Sequence, residues 1–305
     1  MAGVYDEGSG NIACYWVGTE RKDLEDPVGI ESNARCITVA SDGSVYVGGT
    51  YFDGANTVAC YWKDQVKIED FVDSMVPETI TVTSDGTVYV TSDKSYWKNG
   101  VKQDDFTPSV DEYDNCVTVA ADGAVYYGGQ YSTDGGNTFM ACYWKGDDSP
   151  MHFTTDDSDA RYIAVVGGTV YAAGPNYDNG PTCSWAGSSN QKVLINPTGG
   201  GVYPNAVTGS GSTAYVAGAY TDAEYNNVAC YWVNGAHKSL GLPEGAAQSE
   251  AIGIAVLGGV AFVAGYYGSP PDSKKACCWV GGGQPISLPC PDDAVSSTAY
   301  GVYVK

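Results

Sequence analysis

Every tryptophan of this chain stands at one register of an internal repeat: Trp16, Trp62, Trp97, Trp144, Trp185, Trp232 and Trp279. Around them the chain reads ACYW (13–16), ACYW (59–62), SYW (95–97), ACYW (141–144), TCSW (182–185), ACYW (229–232) and ACCW (276–279). A rare side chain that recurs in one local context means that one structural unit has been copied. Successive tryptophans lie 35 to 47 residues apart in a chain of 305. Periods of that length belong to closed or stacked repeats, so the length is not evidence for two unrelated domains.

One full unit is CITVASDGSVYVGGTYFDGANTVACYWKDQVKIEDF (36–71). Its first strand is expected over Cys36–Ala40, ended by Ser41-Asp42-Gly43, a turn whose Asp and Gly tolerate positive φ. The second is expected over Ser44–Thr50, where valines and a tyrosine alternate at strand period. After the polar loop 52–56, the third runs over Thr57–Lys63, and a two-residue turn at Asp64-Gln65 leads to the fourth. In other copies that turn is Asn99-Gly100 or Asn234-Gly235. Four short antiparallel strands per unit is the content of one propeller blade. With 40 glycines, 12% aromatic residues and almost no helical periodicity, the composition reads as all-β.

Six first turns accompany the seven tryptophans, and the mismatch locates a ring closure. The C-terminal STAYGVYVK (297–305) aligns with SEAIGIAVL (249–257), a first strand, and MAGVY (1–5) aligns with VAGYY (263–267), a second strand. The expected fold is therefore a seven-bladed β-propeller forming one domain over 1–305. Its seventh blade combines residues 297–305 as inner strand with the outer strands of residues 1–30. Such closure removes the open sheet edges that a linear array would expose.

At this point the chain resembles seven-bladed β-propellers. The dipeptides Gly48-Gly49 and Gly128-Gly129, each followed by Tyr-Trp, look like kelch repeats, although kelch motifs space the Tyr and Trp apart. The ACYWKNG-type signature is similar to repeats of bacterial surface or secreted proteins. The resemblance covers the whole chain, implies an extracellular or cell-envelope setting and carries no chemistry of its own, since propellers host enzymes, lectins and scaffolds alike. The opening MAGVYDEGSG shows no leader and reads as part of a strand.

A formal charge of −21 repels phosphate backbones and anionic membranes, so neither nucleic acid nor membrane insertion is expected. No apolar run is long enough to span a bilayer. Six cysteines (Cys14, Cys60, Cys142, Cys183, Cys230, Cys277) stand two residues before a repeat tryptophan. Cysteines that recur in register behave as small buried hydrophobes, so free thiols are expected between blades. No C-x-x-C, HExxH or P-loop occurs, and neither metal nor cofactor is expected. His152 and His237, the only histidines, follow a tryptophan on the outermost strand, which disfavours a buried Ser-His-Asp triad.

Three features of the top face, where second-to-third-strand loops meet blade-to-blade connections, are candidates for binding. Its loops carry Asp53, Asp134, Asp178 and Asp222, and its connections Asp70, Asp73, Asp104, Asp105, Asp111, Asp156, Asp157, Asp159, Asp292 and Asp293. These oxygens suit Ca²⁺, but dense ligand spacing is missing and ordinary turn chemistry explains them. Tyr5, Tyr51, Tyr131, Tyr220 and Tyr267 share one register and form either an exposed aromatic rim or blade-to-blade packing. Of the chain's three arginines, Arg35 and Arg161 share the register just before the first strand, where Glu78 and Asn115 stand in other blades. First strands line a propeller's channel, so these four residues should crowd its mouth, unless both arginines are consumed by neighbouring carboxylates.

The reading these residues support is a monomeric, non-catalytic binding or scaffold propeller that recognises a glycan or a protein segment on its top face. One alternative is a hydrolase or lyase at the channel mouth, with Glu78 and the acidic loops as general acid or base. Another is a purely structural repeat segment of a longer protein.

Overall fold

Successive side chains of a strand face opposite ways. In Ala-Cys-Tyr-Trp, Ala and Tyr therefore look to one side of the sheet, and Cys and Trp to the other. The computed structural model describes residues 1–71, 75–92, 95–103, 112–146, 148–178, 182–187, 190–269 and 273–305, without the side chains of 112–115. In it the motif joins neighbouring blades. Ala13 and Tyr15 pack with Cys60 and Trp62 of the next sheet, Ala59 and Tyr61 with Trp97, and Ala229 and Tyr231 with Cys277 and Trp279. The hydrophobic core is thus a set of layers between sheets. All six tryptophans that follow a cysteine in register are almost completely buried.

Those layers separate seven four-stranded antiparallel sheets, a seven-bladed β-propeller. Blades 1 to 7 are numbered by their inner strands: Ser32–Val39, Thr79–Val82, Glu112–Val119, Tyr162–Val166, Val202–Ser210, Gln248–Leu257 and Ser296–Gly301. Blade 7 places Ser296–Gly301 beside Ala2–Asp6, with Gly3 opposite Ala299 and Tyr5 opposite Ser297. The C-terminal strand thus closes the ring against the N-terminal ones. Asn99-Gly100 and Asn234-Gly235 both have positive φ at each residue, the two-residue turn suited to the twist of a hairpin. Several outermost strands are very short, such as Val101–Lys102, Lys192–Val193 and Ile286–Ser287, which leaves little free edge.

Two polar contacts recur across the blade interfaces. The indole Nε1 of Trp16, Trp62, Trp232 and Trp279 donates to the carbonyls of Pro289, Glu25, Ile195 and Gly241 in the preceding blade, at 2.7–2.8 Å. The motif alanine supplies the second. Ala13 accepts from Leu24 N–H on its outer side, and its own N–H on that side donates to Ser32 Oγ of the next blade at 3.0 Å. Ser158, Ser249 and Ser297 accept from Ala141, Ala229 and Ala276 in the same way. A buried N–H left unpaired would cost free energy, so each serine completes the backbone where the fourth strand has ended.

The inner strand of blade 1 begins at Ser32, four residues earlier than its alternation implies. A β-bulge between Ala34 and Cys36 inserts Arg35 as an extra residue and hides the strand period on its N-terminal side. The inner strands of blades 3, 5, 6 and 7 shift register at the same place, which makes Asn115, Asn205, Ile252 and Tyr300 the inserted residues. The bulge also explains the glycines. A Cβ on Gly49 would stand 1.9 Å from the Asn33 carbonyl oxygen, and Cβ atoms on Gly3, Gly218 and Gly265 would meet a carbonyl at 2.0–2.1 Å. The ladder of blade 2 begins only at Thr79, after that position, and there Ser92 stands in the glycine's place. Gly49→Ala is expected to lower stability by about 1–3 kcal/mol through overpacking against a backbone that cannot yield. Ser92→Ala, which removes an atom instead of adding one to that space, should cost less than Gly49→Ala. Urea unfolding of the two variants checks the contrast.

Candidate functional site

All seven inner strands contribute to one central cavity of about 510 Å³, open at the end where those strands begin. Arg35, Glu78, Arg161, Asn205, Ile252 and Tyr300 line it, each from a different blade. A bulge re-aims one side chain without altering the ladder beyond it. The same device therefore delivers several of these residues to the mouth. Asn115 occupies the bulge position of blade 3, and its side chain lies outside the described residues. The cavity thus brings together Arg35, Glu78 and Arg161, as their shared register implies. Asn205, Ile252 and Tyr300 belong to the same ring, although the sequence expectation for that register names only Arg35, Glu78, Asn115 and Arg161. The signal for Ile252 and Tyr300 was present, because AIGIAV (251–256) and AYGVYV (299–304) align with ARCITV (34–39).

The two arginines differ in their partners. Arg161 Nε donates to Asp159 Oδ2 at 3.1 Å and its Nη2 to Tyr177 Oη at 3.1 Å. The bond it donates to Asp159 is the main cause of the rise in its pKa. Arg35 instead lies over the ring of Tyr300, with Cζ 4.3 Å from the centroid, and its buried Nε has no hydrogen-bond partner among the described residues. Beside them, Asn205 Nδ2 donates to Glu250 Oε1 at 3.0 Å and to the Ala251 carbonyl at 2.9 Å. Glu250 Oε2 accepts from Tyr266 Oη at 2.8 Å, and burial, reinforced by that carboxylate, pushes the tyrosine pKa up.

The tyrosine register does not converge on this mouth, and none of its five members lines the central cavity. Tyr5 and Tyr51 are buried, and all five meet side chains of the outermost strands. Arg21 lies 4.5 Å from the Tyr5 centroid and Lys67 Nζ lies 5.3 Å from that of Tyr51. His152 and His237 pack on Tyr131 and Tyr220 with centroids 4.8 and 5.1 Å apart, and Tyr267 Oη lies 2.8 Å from Ser287 Oγ. Burial lowers the pKa of His237. The cysteines are free thiols, and burial pushes that of Cys36 up to about 12, which leaves little thiolate for chemistry.

The acidic loops mostly bind themselves. Asp53 Oδ1 accepts from Ala55 and Asn56 N–H, Asp222 Oδ1 from Glu224 and Asn226 N–H, and Asp134 Oδ1 from Asn137 and Thr138 N–H and Ser132 Oγ. Asp178 accepts from Asp157 N–H. Asp73, Asp104, Asp105 and Asp111 lie outside the described residues. Among the described residues, no group of three or more His, Cys, Asp and Glu is placed to hold a metal ion. Nor does any helix there have the length and apolarity to cross a membrane. The hydrogen bonds from Thr138 N–H and the Ser132 hydroxyl lower the Asp134 pKa from 3.8 to about 2. A carboxylate whose folded pKa is depressed stabilises its loop above the unfolded value and loses that contribution as pH falls through the folded one. The loop should therefore hold at neutral pH and loosen between pH 3.8 and about 2. Carboxyl-carbon NMR titration should find the Asp134 midpoint near 2, and a midpoint near 3.8 would contradict the geometry.

No family model matches the chain, and no curated protein matches it. Solved structures do share its architecture. The β-propeller domain of the Trilobed protease from Pyrococcus furiosus is 9% identical with a TM-score of 0.55, covering 95% of this chain and 99% of that one. Pyrococcus horikoshii acylaminoacyl peptidase is 9% identical with a TM-score of 0.50, covering 95% of this chain and 53% of that one. Likeness at this identity extends to the fold alone. The first relative has an open velcro topology, whereas here the C-terminal inner strand pairs with the N-terminal strand.

Proposed function

We propose that this propeller is a non-catalytic binding module whose ligand enters the channel mouth and is anchored by Arg35. The observation that carries the reading is the state of that guanidinium. In a chain with 36 acidic residues, it makes no ion pair or hydrogen bond among the described residues and instead rests on Tyr300. A planar fork of donors fixed by stacking is prepared for a carboxylate or for a pair of hydroxyls. Arg161 stands three blades away and approaches a central ligand from nearly the opposite side. A glycan or a protein segment fits this chemistry, and the likeness to repeats of bacterial surface proteins supports a ligand outside the cell or in the envelope.

A glycan array and a peptide library, screened with the wild type and the Arg35→Ala/Arg161→Ala double variant, test the proposal. Losing charge-assisted hydrogen bonds should weaken binding by about tenfold to a hundredfold. Equal binding by both proteins would place the site elsewhere, and binding by neither would favour a scaffold.

A further inference from the structure

Gly199-Gly200-Gly201 is the only run of three glycines in blades 4 and 5, and its fold is tightly pinned. Gly201 N–H donates to Thr221 Oγ1 at 2.7 Å, its carbonyl accepts from Asn196 Nδ2 at 2.9 Å, and Thr198 Oγ1 donates to the Thr221 carbonyl at 2.7 Å. A Cβ on Gly201 would stand 2.5 Å from Oη and 2.8 Å from Cζ of Tyr203. The tyrosine ring thus occupies the space a side chain at 201 would need. It is backed by the loop, yet the residue remains 49% exposed. This is an exposed aromatic surface on the top face.

Beside the ring is a cavity of about 260 Å³ that shares Arg161, Tyr162 and Asn205 with the central channel. Arg161 is held by Asp159 and Tyr177, and its Nη1 makes no hydrogen bond among the described residues. Asn205 is oriented by the two bonds from its Nδ2, which leave Oδ1 as an acceptor. An aromatic face with a donor and an acceptor at its edge matches a sugar ring, whose C–H face is apolar and whose hydroxyls both donate and accept.

We infer that this pocket between blades 4 and 5 is a saccharide subsite, which seats a neutral pyranose on Tyr203 with its hydroxyls on Arg161 and Asn205. The inference rests on the reading of the channel mouth as a ligand site and extends that site outward. Neutrality follows from charge. Arg161 is already paired with Asp159, so the pair offers an incoming carboxylate no net attraction, and the chain as a whole carries −21.

The test is an array of neutral hexose oligosaccharides, matched hexuronate oligosaccharides and proline-rich peptides, probed with the full chain and its variants. Wild type should bind a neutral oligosaccharide, and Tyr203→Ala should weaken it by about tenfold or more at unchanged melting temperature. Tyr203→Phe should retain binding. Gly201→Ala should weaken it by displacing the ring, although it removes no group that touches the ligand. Binding confined to hexuronates or peptides, or no glycan binding at all, would overturn the subsite. So would neutral-sugar binding that Tyr203→Ala leaves intact. If Arg35→Ala abolishes that intact binding, the subsite falls while the channel mouth stands as the ligand site.

Discussion

Deleting residues 296–305 is expected to abolish cooperative folding. The deletion removes the strand that pairs with Ala2–Asp6, and with it the buried Ser297, Thr298 and Ala299. Ala276 N–H loses its acceptor, Ser297 Oγ, so the interface between blades 6 and 7 is left with an orphaned buried donor. Tyr5, Cys14 and Trp16 share one cluster with Ala299, and that cluster opens to water. Blade 7 would keep three strands and present an inner edge to the channel. A domain's net stability is only about 5–15 kcal/mol, and these losses are of that order together. Calorimetry of the truncated chain should show a broad transition or none. A sharp transition at the wild-type temperature would mean that the ring does not depend on its closure.

Replacing one repeat tryptophan should rank next. Trp232 is fully buried between blades 4 and 5, against Leu194 and Tyr171, and its indole donates to the Ile195 carbonyl at 2.8 Å. Trp232→Ala should cost about 3–5 kcal/mol from lost burial and the cavity it leaves. Trp232→Phe separates the two contributions, because it keeps much of the ring area and removes the donor. Its partner carbonyl would lose one bond, a loss of about 1 kcal/mol beyond the change in packing. Trp185 provides the control, since its Nε1 has no hydrogen-bond partner among the described residues. Trp185→Phe should therefore cost less than Trp232→Phe in urea unfolding. Equal costs would show that the indole bond contributes little to the blade interface.

The blade count was legible because a tryptophan is buried at every interface. Trp16 and Trp279 staple their blades to the preceding ones as Trp62 does, so the residue recurs wherever the interface recurs. The closure was legible for a related reason: Ser296–Gly301 and Ala2–Asp6 are complementary fragments of one unit. The serines that cap Ala13, Ala141, Ala229 and Ala276 do recur, as S-x-A at 32–34, 158–160, 249–251 and 297–299, but nothing in that pattern shows that the hydroxyl accepts from the blade next door. Of the site, register alone located Arg35, Glu78 and Arg161, whereas the start of the inner strand was obscured by the bulge that aims Arg35. The tyrosine register recurs because it packs on the outermost strands. Tyr203 stayed hidden for the opposite reason: it occurs once, and attention to what repeats passes over what does not.

The glycine facing each bulge separates two duties that proteins commonly load onto one residue. In blade 1 the backbone distortion is permitted by Gly49, on the second strand, while the side chain presented to the channel belongs to Arg35, on the first. The residue on display carries no part of the strand pairing. Arginine, asparagine, isoleucine and tyrosine already occupy that position in different blades without altering the architecture. A lineage, or an engineer, can therefore rewrite the mouth one blade at a time and leave the frame untouched. The ring behaves as a set of interchangeable sockets around a shared opening, and the side chains there can change while the fold does not.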